Sequence, residues 1–287
     1  VRKGIILSGG LGTRLYPCTE AVSKQLLPVY DKPLVYYPLS TLMMAGIRDI
    51  LIITNMADRY PFGVLLRDGA HLGLNITYAI QDKPRGIAEC FLIGDNFIGD
   101  DDVALILGDN IFYGNDLIHK LRSANERKDP TLFAYHVADP ERFGVLELDK
   151  HKNPIRIVEK PTKAPSNYAV TGLYFYDSNV VEYARQLQPS ARGELEITDI
   201  NNLYMQNTNV HIEYLNRGIA WIDAGTFDSL ADASTFIAST QKRTGMMISC
   251  PEEIAYDNGW IGEKELLAAA NKYSKTNYGT YLKSLLA

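Results

Sequence analysis

Ser8-Gly9-Gly10-Leu11-Gly12 offers little beyond bare backbone, and two cations, Arg14 and Lys24, follow close behind it. Glycine lets main-chain N–H groups approach an anion closely and adopt positive φ, so such a run can form a concave nest for phosphate. The same glycines could equally make a tight strand-to-helix turn with no ligand. Arg14 and Lys24 favour the ligand, because Pro17, Pro28 and Pro33 stiffen the segment around them and fixed charge there suits a polyphosphate. Two familiar phosphate loops fail on spelling. The dinucleotide fingerprint needs G-x-G-x-x-G/A, whereas Gly10-x-Gly12 runs on to Leu15; Walker A needs Gly-Lys-Ser/Thr, and the chain has no Gly-Lys pair.

Acidic groups of the complementary kind occur twice. "VALILGDN" (103–110) is an apolar run that exposes Asp109 after Gly108, and "IAWIDAGT" presents Asp223 before Ala224-Gly225-Thr226. Two carboxylates at strand ends could share one Mg²⁺, which typically takes one or two protein carboxylates plus phosphate oxygens and water. The alternative is that each Asp merely starts a turn.

Positioning these groups requires strands that end at them. Gly4–Ser8, 49–54 ("DILIIT"), 75–79, 103–107 and 130–136 read as strands, with helices over 35–45, stopped by Gly46, and 87–93. Strands alternating with helices predict a doubly wound, largely parallel sheet, where ligands sit outside the carboxyl ends of strands. From Arg142 the texture turns β-rich ("FGVLELD", "IRIVEKP", "YAVTGLYFYD"), suggesting a second, partly antiparallel layer, before a helix at 178–186 and a strand at 211–215. The tail from Ser229 reads as mostly helical, 263–272 most clearly. No repeat or low-complexity linker divides the chain.

At 46% hydrophobic and 22% charged, 287 residues can bury a full core and read as a globular chain. A net charge of −5 gives no global attraction for nucleic acid or anionic membrane. Glycines and Arg14 interrupt the first apolar stretch too early for a signal peptide, and no run of 18 apolar residues occurs, so a cytoplasmic location is expected. Cys18, Cys90 and Cys250, odd in number and widely spaced, predict free thiols.

Eight segments in order, "GGLGTRLYP…SKQLLPVYDKPLVYYPLSTLMMAGI", "LGDNIFYG", "DPERFGV", "EKP", "SNYAVTGLYFYD", "GELEITDIN", "WIDAGTFDSL" and "CPEEIAYDNGWI", together resemble the glucose-1-phosphate thymidylyltransferase family, the dTDP-glucose pyrophosphorylases. The first segment alone would identify only the wider sugar-nucleotidyltransferase superfamily. The resemblance implies one α/β domain over 1–287: a mostly parallel, Rossmann-like twisted central sheet flanked by helices, a smaller β-rich sugar-binding part and a helical C-terminal extension. Approximate divisions are a nucleotide half at 1–141, a sugar half at 142–228 and the helical part at 229–287. Implied substrates are dTTP and α-D-glucose 1-phosphate, giving dTDP-glucose and pyrophosphate at the start of dTDP-sugar synthesis such as that of dTDP-rhamnose. Mg²⁺ dependence and a homotetramer inhibited by a dTDP-sugar end product are implied too.

Residue by residue, the family pattern implies that Arg14 neutralises the leaving phosphates, Lys24 contacts the reacting phosphates, and Asp109 and Asp223 hold Mg²⁺. Lys160 and Arg192 would hold the sugar phosphate in line. Gln25 and Gln81 would read the pyrimidine, with Leu7, Gly9, Gly10, Gly12, Thr13 and Gly86 lining the nucleotide. Phe143, Gly144, Glu159, Val170 and Tyr174 would meet the sugar. The chain departs from the pattern in places. "KPRGIAEC" (83–90) stands where the family has "SPDGLAQA", so Arg85 replaces an acid near the base; Phe143 replaces a usual Tyr, Val158 a usual Glu and Ala224 a usual Thr. Rival readings are a UTP-dependent glucose-1-phosphate uridylyltransferase, since one methyl is worth only about 1–3 kcal/mol in an apolar pocket, and a non-catalytic regulatory subunit. A metal-dependent glycosyltransferase would be expected to carry Asp-x-Asp where this chain has "GDN".

Overall fold

The first strand, β1 (Lys3–Ser8), is a continuous apolar run, the pattern of a strand covered on both faces. In the computed structural model, which describes residues 2–287, Ile5 and Ile6 are fully buried and feed opposite cores. A short hairpin, β2 (Pro28–Val29) and β3 (Lys32–Pro33), leads into α1 (Tyr36–Met44), and Gly46 at φ 86° turns the chain out of it as expected. Then follow β4 (Asp49–Thr54), α2 (Arg59–Leu66), β5 (Asn75–Ile80), α3 (Glu89–Ile93), α4 (Asp95–Ile98) and β6 (Val103–Leu107). Strands β6, β1, β4 and β5 lie side by side and parallel, with Ile5 level with Leu105 and Leu51. This is the doubly wound arrangement the alternation predicts.

The next elements are β7 (Asn110–Gly114), α5 (Leu117–Glu126), β8 (Thr131–His136), β9 (Gly144–Leu148), β10 (Pro154–Glu159) and β11 (Tyr168–Tyr176). After them come α6 (Val180–Gln186), α7 (Ile197–Asn207), β12 (His211–Tyr214) and β13 (Ile219–Asp223). The β-rich segments do not form a separate layer. They extend the same sheet to nine strands, because β11 is long enough to pair antiparallel with β6 through Leu173–Tyr176 while also pairing with β8 and, at Ala169, with β9. A separate antiparallel ladder joins β13 to β7 and sets Asp223 opposite Asn110.

Helices α8 (Phe227–Thr244), α9 (Pro251–Asp257), α10 (Glu263–Lys272) and α11 (Asn277–Ser284) make the tail helical, as its composition predicts. Thr226 and Ser229 cap the start of α8 reciprocally, and Gly245 at φ 72° ends it. Leu266, Ala270 and Leu282 from the tail join Leu42 and Met43 of α1 in one core, while Ala88, Phe91, Val180 and Ile200 cover the opposite face of the sheet. No helix among the described residues is long and apolar enough to cross a membrane.

Gly108 is tightly packed at the carboxyl end of β6. Its N–H donates to the Leu7 carbonyl at 2.9 Å, and a Cβ there would lie 2.4 Å from Ser8 Oγ and 2.9 Å from the Leu7 oxygen. Gly108→Ala is expected to cost about 1–3 kcal/mol through forced displacement of backbone. Urea denaturation would show it as a lower midpoint; an unchanged midpoint would mean the strand ends can spread freely.

Candidate active site

A cavity of about 430 Å³ opens beyond the carboxyl ends of β1 and β6 and runs out to β9, β10 and β11. Arg14, Asp109 and Asp223 line it together with Gly144, Glu159, Val170 and Tyr174. Phe143 and Lys160 also belong to the wall. Lys24, Gln25, Gln81, Gly86, Arg192, Leu7, Gly9, Gly10, Gly12 and Thr13 lie outside that wall.

Asp109 is the most constrained of these groups. The Lys24 ammonium donates to its Oδ2, so Lys24 acts on the cavity through a wall residue. Asn110 Nδ2 donates to Asp109 Oδ1 at 2.9 Å. The Asn110 amide cannot turn over without losing two bonds, since its Oδ1 accepts from Trp221 Nε1 at 2.6 Å and from the Gly172 N–H at 3.1 Å. Burial pushes the Asp109 carboxyl up, but Lys24 and Asn110 outweigh it and hold the group below its ordinary range.

Asp223 is brought alongside by backbone. The β7–β13 ladder aligns it with Asn110, and the Ala224 N–H donates to the Asp109 carbonyl at 3.0 Å. Its carboxyl is pushed up to about 6, first by burial and then by the negative charge of Asp109. Lys24, Arg142 and Arg14 act in the opposite sense on Asp223 but do not outweigh burial and the charge of Asp109. Among the described residues no cluster of three or more His, Cys, Asp or Glu competes for a metal. An all-oxygen pair of this kind fits a hard divalent cation that completes its shell from phosphate and water.

In the same wall, Glu159 Oε2 accepts from Thr198 Oγ1 at 2.6 Å, while Oε1 lies 3.7 Å from Lys160 Nζ and 3.5 Å from Arg192 Nη2. Lys160 holds a left-handed φ of 41°, costly for a side chain with a Cβ, and its N–H donates to the Phe143 carbonyl at 3.0 Å. Arg192 is bound chiefly to Glu196, at 2.8 Å, and its side chain is 41% exposed beside the cavity mouth. Burial pushes the Tyr174 phenol up, so it meets a ligand as a neutral hydroxyl.

The glycine loop stands where the sequence puts it, directly after β1. Gly12 adopts φ 65° and its carbonyl accepts from Thr19 Oγ1 at 2.7 Å; Thr13 opens a single turn, Thr13–Leu15, anchored by buried Leu15. A Cβ at Gly10 would meet nothing within 4 Å, so its backbone faces open space, whereas one at Gly9 would strike Gln81 Oε1 at 2.3 Å. Gln25 is buried and its Oε1 accepts from Ser23 Oγ at 2.6 Å. Gly86, at φ 107°, lies so close to Leu195 that a Cβ would come within 2.3 Å of its carbonyl oxygen.

Sequence reasoning missed Asn110, Arg142, Thr198 and Trp221, all in the cavity wall. Each lies inside a motif that was legible, "LGDN", "DPERFGV", "GELEITDIN" and "WIDAGT"; Asn110, Thr198 and Trp221 are singled out by long-range contacts, whereas Arg142 bonds locally to Asp139 and is marked only by its place in the wall. Trp221, for instance, orients Asn110 and packs its ring 5.1 Å from that of Phe143.

The nucleotidyl transferase family model matches residues 3–240. A glucose-1-phosphate thymidylyltransferase of Xanthomonas campestris pv. campestris is 55% identical, over 99% of this chain and 97% of its own length. One from Neisseria meningitidis is 52% identical over 99% of both. Among solved structures, a Bacillus anthracis chain described as a glucose-1-phosphate thymidylyltransferase superposes with a TM-score of 0.75 at 42% identity, covering 82% of this chain and 95% of that one. With its charged strand-end cavity and its whole length so matched, the chain belongs to the nucleotidyl transferase family, in the branch of the glucose-1-phosphate thymidylyltransferases.

Proposed function

We propose that the chain transfers a thymidylyl group from dTTP to α-D-glucose 1-phosphate, giving dTDP-glucose and pyrophosphate. The observation that carries this reading is a single cavity lined by Arg14 and two carboxylates together with Glu159 and Tyr174. The first three suit phosphates and their cation, the other two sugar hydroxyls.

A phosphate monoester has a second pKa of about 6 and is largely dianionic at neutral pH, so the nucleophile arrives already ionised. Its oxygen attacks the α-phosphorus of dTTP, the bond from that phosphorus to the bridging oxygen breaks, and the electron pair leaves with pyrophosphate. No side chain has to remove a proton. The barrier is repulsion between polyanions and charge gathering on the leaving group, which fixed positive charge and positioning relieve. In this reading Arg14 neutralises the leaving phosphates, and Lys24, released from Asp109 as ligand charge enters, turns to the reacting phosphate. Asp109 and Asp223 would hold Mg²⁺, whose chemistry there is to screen the phosphate oxygens. Lys160 and Arg192, both within 4 Å of Glu159, hold the sugar phosphate in line, and Glu159 accepts from sugar hydroxyls. Gln25 and Gln81 read the base. The same reading carries the family's homotetramer, its inhibition by a dTDP-sugar and a cytoplasmic setting.

The direct test is pyrophosphate release with α-D-glucose 1-phosphate and Mg²⁺ across dTTP, UTP, CTP, ATP and GTP. Fastest release with dTTP is expected. Preference for UTP would keep the mechanism and change the base; no release with any would favour a non-catalytic subunit.

Arg14 is exposed, so Arg14→Ala should lower kcat roughly 100-fold or more with the melting temperature unchanged. Equal loss of stability would place it in the framework instead. Asp109→Asn and Asp223→Asn should each lower kcat/KM by roughly 100-fold or more, and chelating Mg²⁺ should abolish turnover in the unsubstituted enzyme.

Asp223→Asn carries a second consequence. The native carboxyl titrates near 6 against an ordinary 3.8, so the native state binds more protons in that window and its stability falls as pH rises through it. Asp223→Asn removes that loss. Its melting temperature in chelator should exceed that of the unsubstituted protein at pH 8, with the difference vanishing near pH 4; an equal difference at both would place the effect in packing.

A further inference from the structure

Gln81 sits just past β5, almost fully buried, with its N–H donating to the Thr54 carbonyl at 2.8 Å. Its side chain has two distinct ends. Nε2 donates to Glu89 Oε2 at 2.8 Å and, more weakly, to the Gly86 carbonyl at 3.3 Å. Oε1 lies against Gly9 of the glycine loop, so close that any Cβ there would collide with it. Behind this pair stands Arg85, whose Nε donates to Glu89 Oε1 at 2.7 Å and whose Nη2 donates to Asp82 Oδ1 at 2.8 Å.

A glutamine amide has two faces of nearly the same shape and opposite hydrogen-bonding sense. Either could be turned toward a ligand. A carboxylate accepts and does not donate, so Glu89 tolerates only the NH₂ face of Gln81, and the carbonyl must then face the loop. Glu89 is only 7% exposed, so water does not substitute freely for this contact, and Arg85 binds the other carboxylate oxygen at the surface. A carbonyl offered to a pyrimidine accepts from a ring N3–H. Thymine and uracil carry that hydrogen; cytosine presents a bare acceptor nitrogen there.

We propose that Glu89, itself held by Arg85, is a positioning residue that fixes the Gln81 amide with its carbonyl toward the glycine loop. The site thereby selects pyrimidines bearing a hydrogen on N3. The inference rests on the reading of Gln81 as a base contact. It assigns Glu89 and Arg85 a part in selection although neither lines the cavity wall.

The comparison that isolates this is dUTP against dCTP, which share their sugar and lack the thymine methyl. Pyrophosphate release with α-D-glucose 1-phosphate is measured for the unsubstituted enzyme, Glu89→Gln and Arg85→Gln. The unsubstituted enzyme should prefer dUTP about 100-fold or more in kcat/KM, because a paired buried acceptor facing another acceptor is costly. Glu89→Gln frees the amide to turn and should lower that ratio about tenfold, through KM, with kcat on dTTP within about threefold and the melting temperature held. Arg85→Gln, a half-exposed change that leaves the core alone, should lower the ratio in the same direction by about threefold. Exchanging the two groups in Gln81→Glu with Glu89→Gln restores an acceptor toward the base and should recover the preference for dUTP. An unchanged ratio in both single variants overturns the proposal, as does an equal fall for both nucleotides with lost stability, which would make Glu89 structural only. If the unsubstituted enzyme uses neither dUTP nor dTTP, the thymidylyltransferase reading fails with it, an outcome distinct from an intact preference that ignores Glu89.

Discussion

The hydrogen bond from the Ala224 N–H to the Asp109 carbonyl joins two strand ends that come from distant parts of the chain. Asp109 follows β6 in the parallel part of the sheet, whereas Asp223 closes β13 in a separate two-stranded ladder. Burying two carboxylates side by side is unfavourable, and burial first, then the charge of Asp109, pushes the Asp223 carboxyl up. Much of the local structure serves to hold the pair in spite of it. Lys24 meets one charge, Asn110 locks the same carboxylate from the side, and Trp221 and Gly172 prevent Asn110 from turning. Gly108 lets β6 approach β1 closely enough for the glycine loop to open beside the pair. Repulsion is thus kept in the folded protein, and under the proposed function a cation and phosphates would relieve it.

Beside these locked carboxylates Arg14 is left exposed in the same cavity wall, free to move. Glu159 is already engaged by Thr198 and lies near Lys160 and Arg192, so this part of the wall is organised in advance. Preorganisation of this kind lets a ligand be oriented with little rearrangement.

Much of this was open to reading in the sequence, for identifiable reasons. The parallel strands are buried on both faces, and 49–54 and 103–107 stand in the structure with the bounds their apolar runs imply. The glycine loop and Asp109 sit at the carboxyl ends of β1 and β6, where doubly wound sheets place ligands, whereas Asp223 ends β13 in a separate ladder. The β-rich middle was misplaced as a second layer, since local texture cannot say that the nine residues of β11 share β6 with the parallel strands. Arg85 was legible as a departure, but not its bond to Glu89 nor that of Glu89 to Gln81, which exist only once the loop after β5 folds over α3. Lys160 could be nominated from "EKP", yet its left-handed backbone belongs to the tertiary structure.

β11 runs from Tyr168 to Tyr176, with Val170 and Tyr174 in the cavity wall and Leu173 in register with Ile106 of β6, three residues before Asp109; its pairing with β8 shifts register between Val170 and Tyr174. Main-chain bonds fix Leu173–Tyr176 against β6, whereas the register shift hands the Val170 part of the strand to β8 and β9, so one strand carries two differently supported stretches of the cavity wall. Under the proposed function, an acceptor would be gauged by the distance from its phosphate to its ring as well as by its hydroxyl pattern, and the shifted stretch of β11 is where that gauge could be reset.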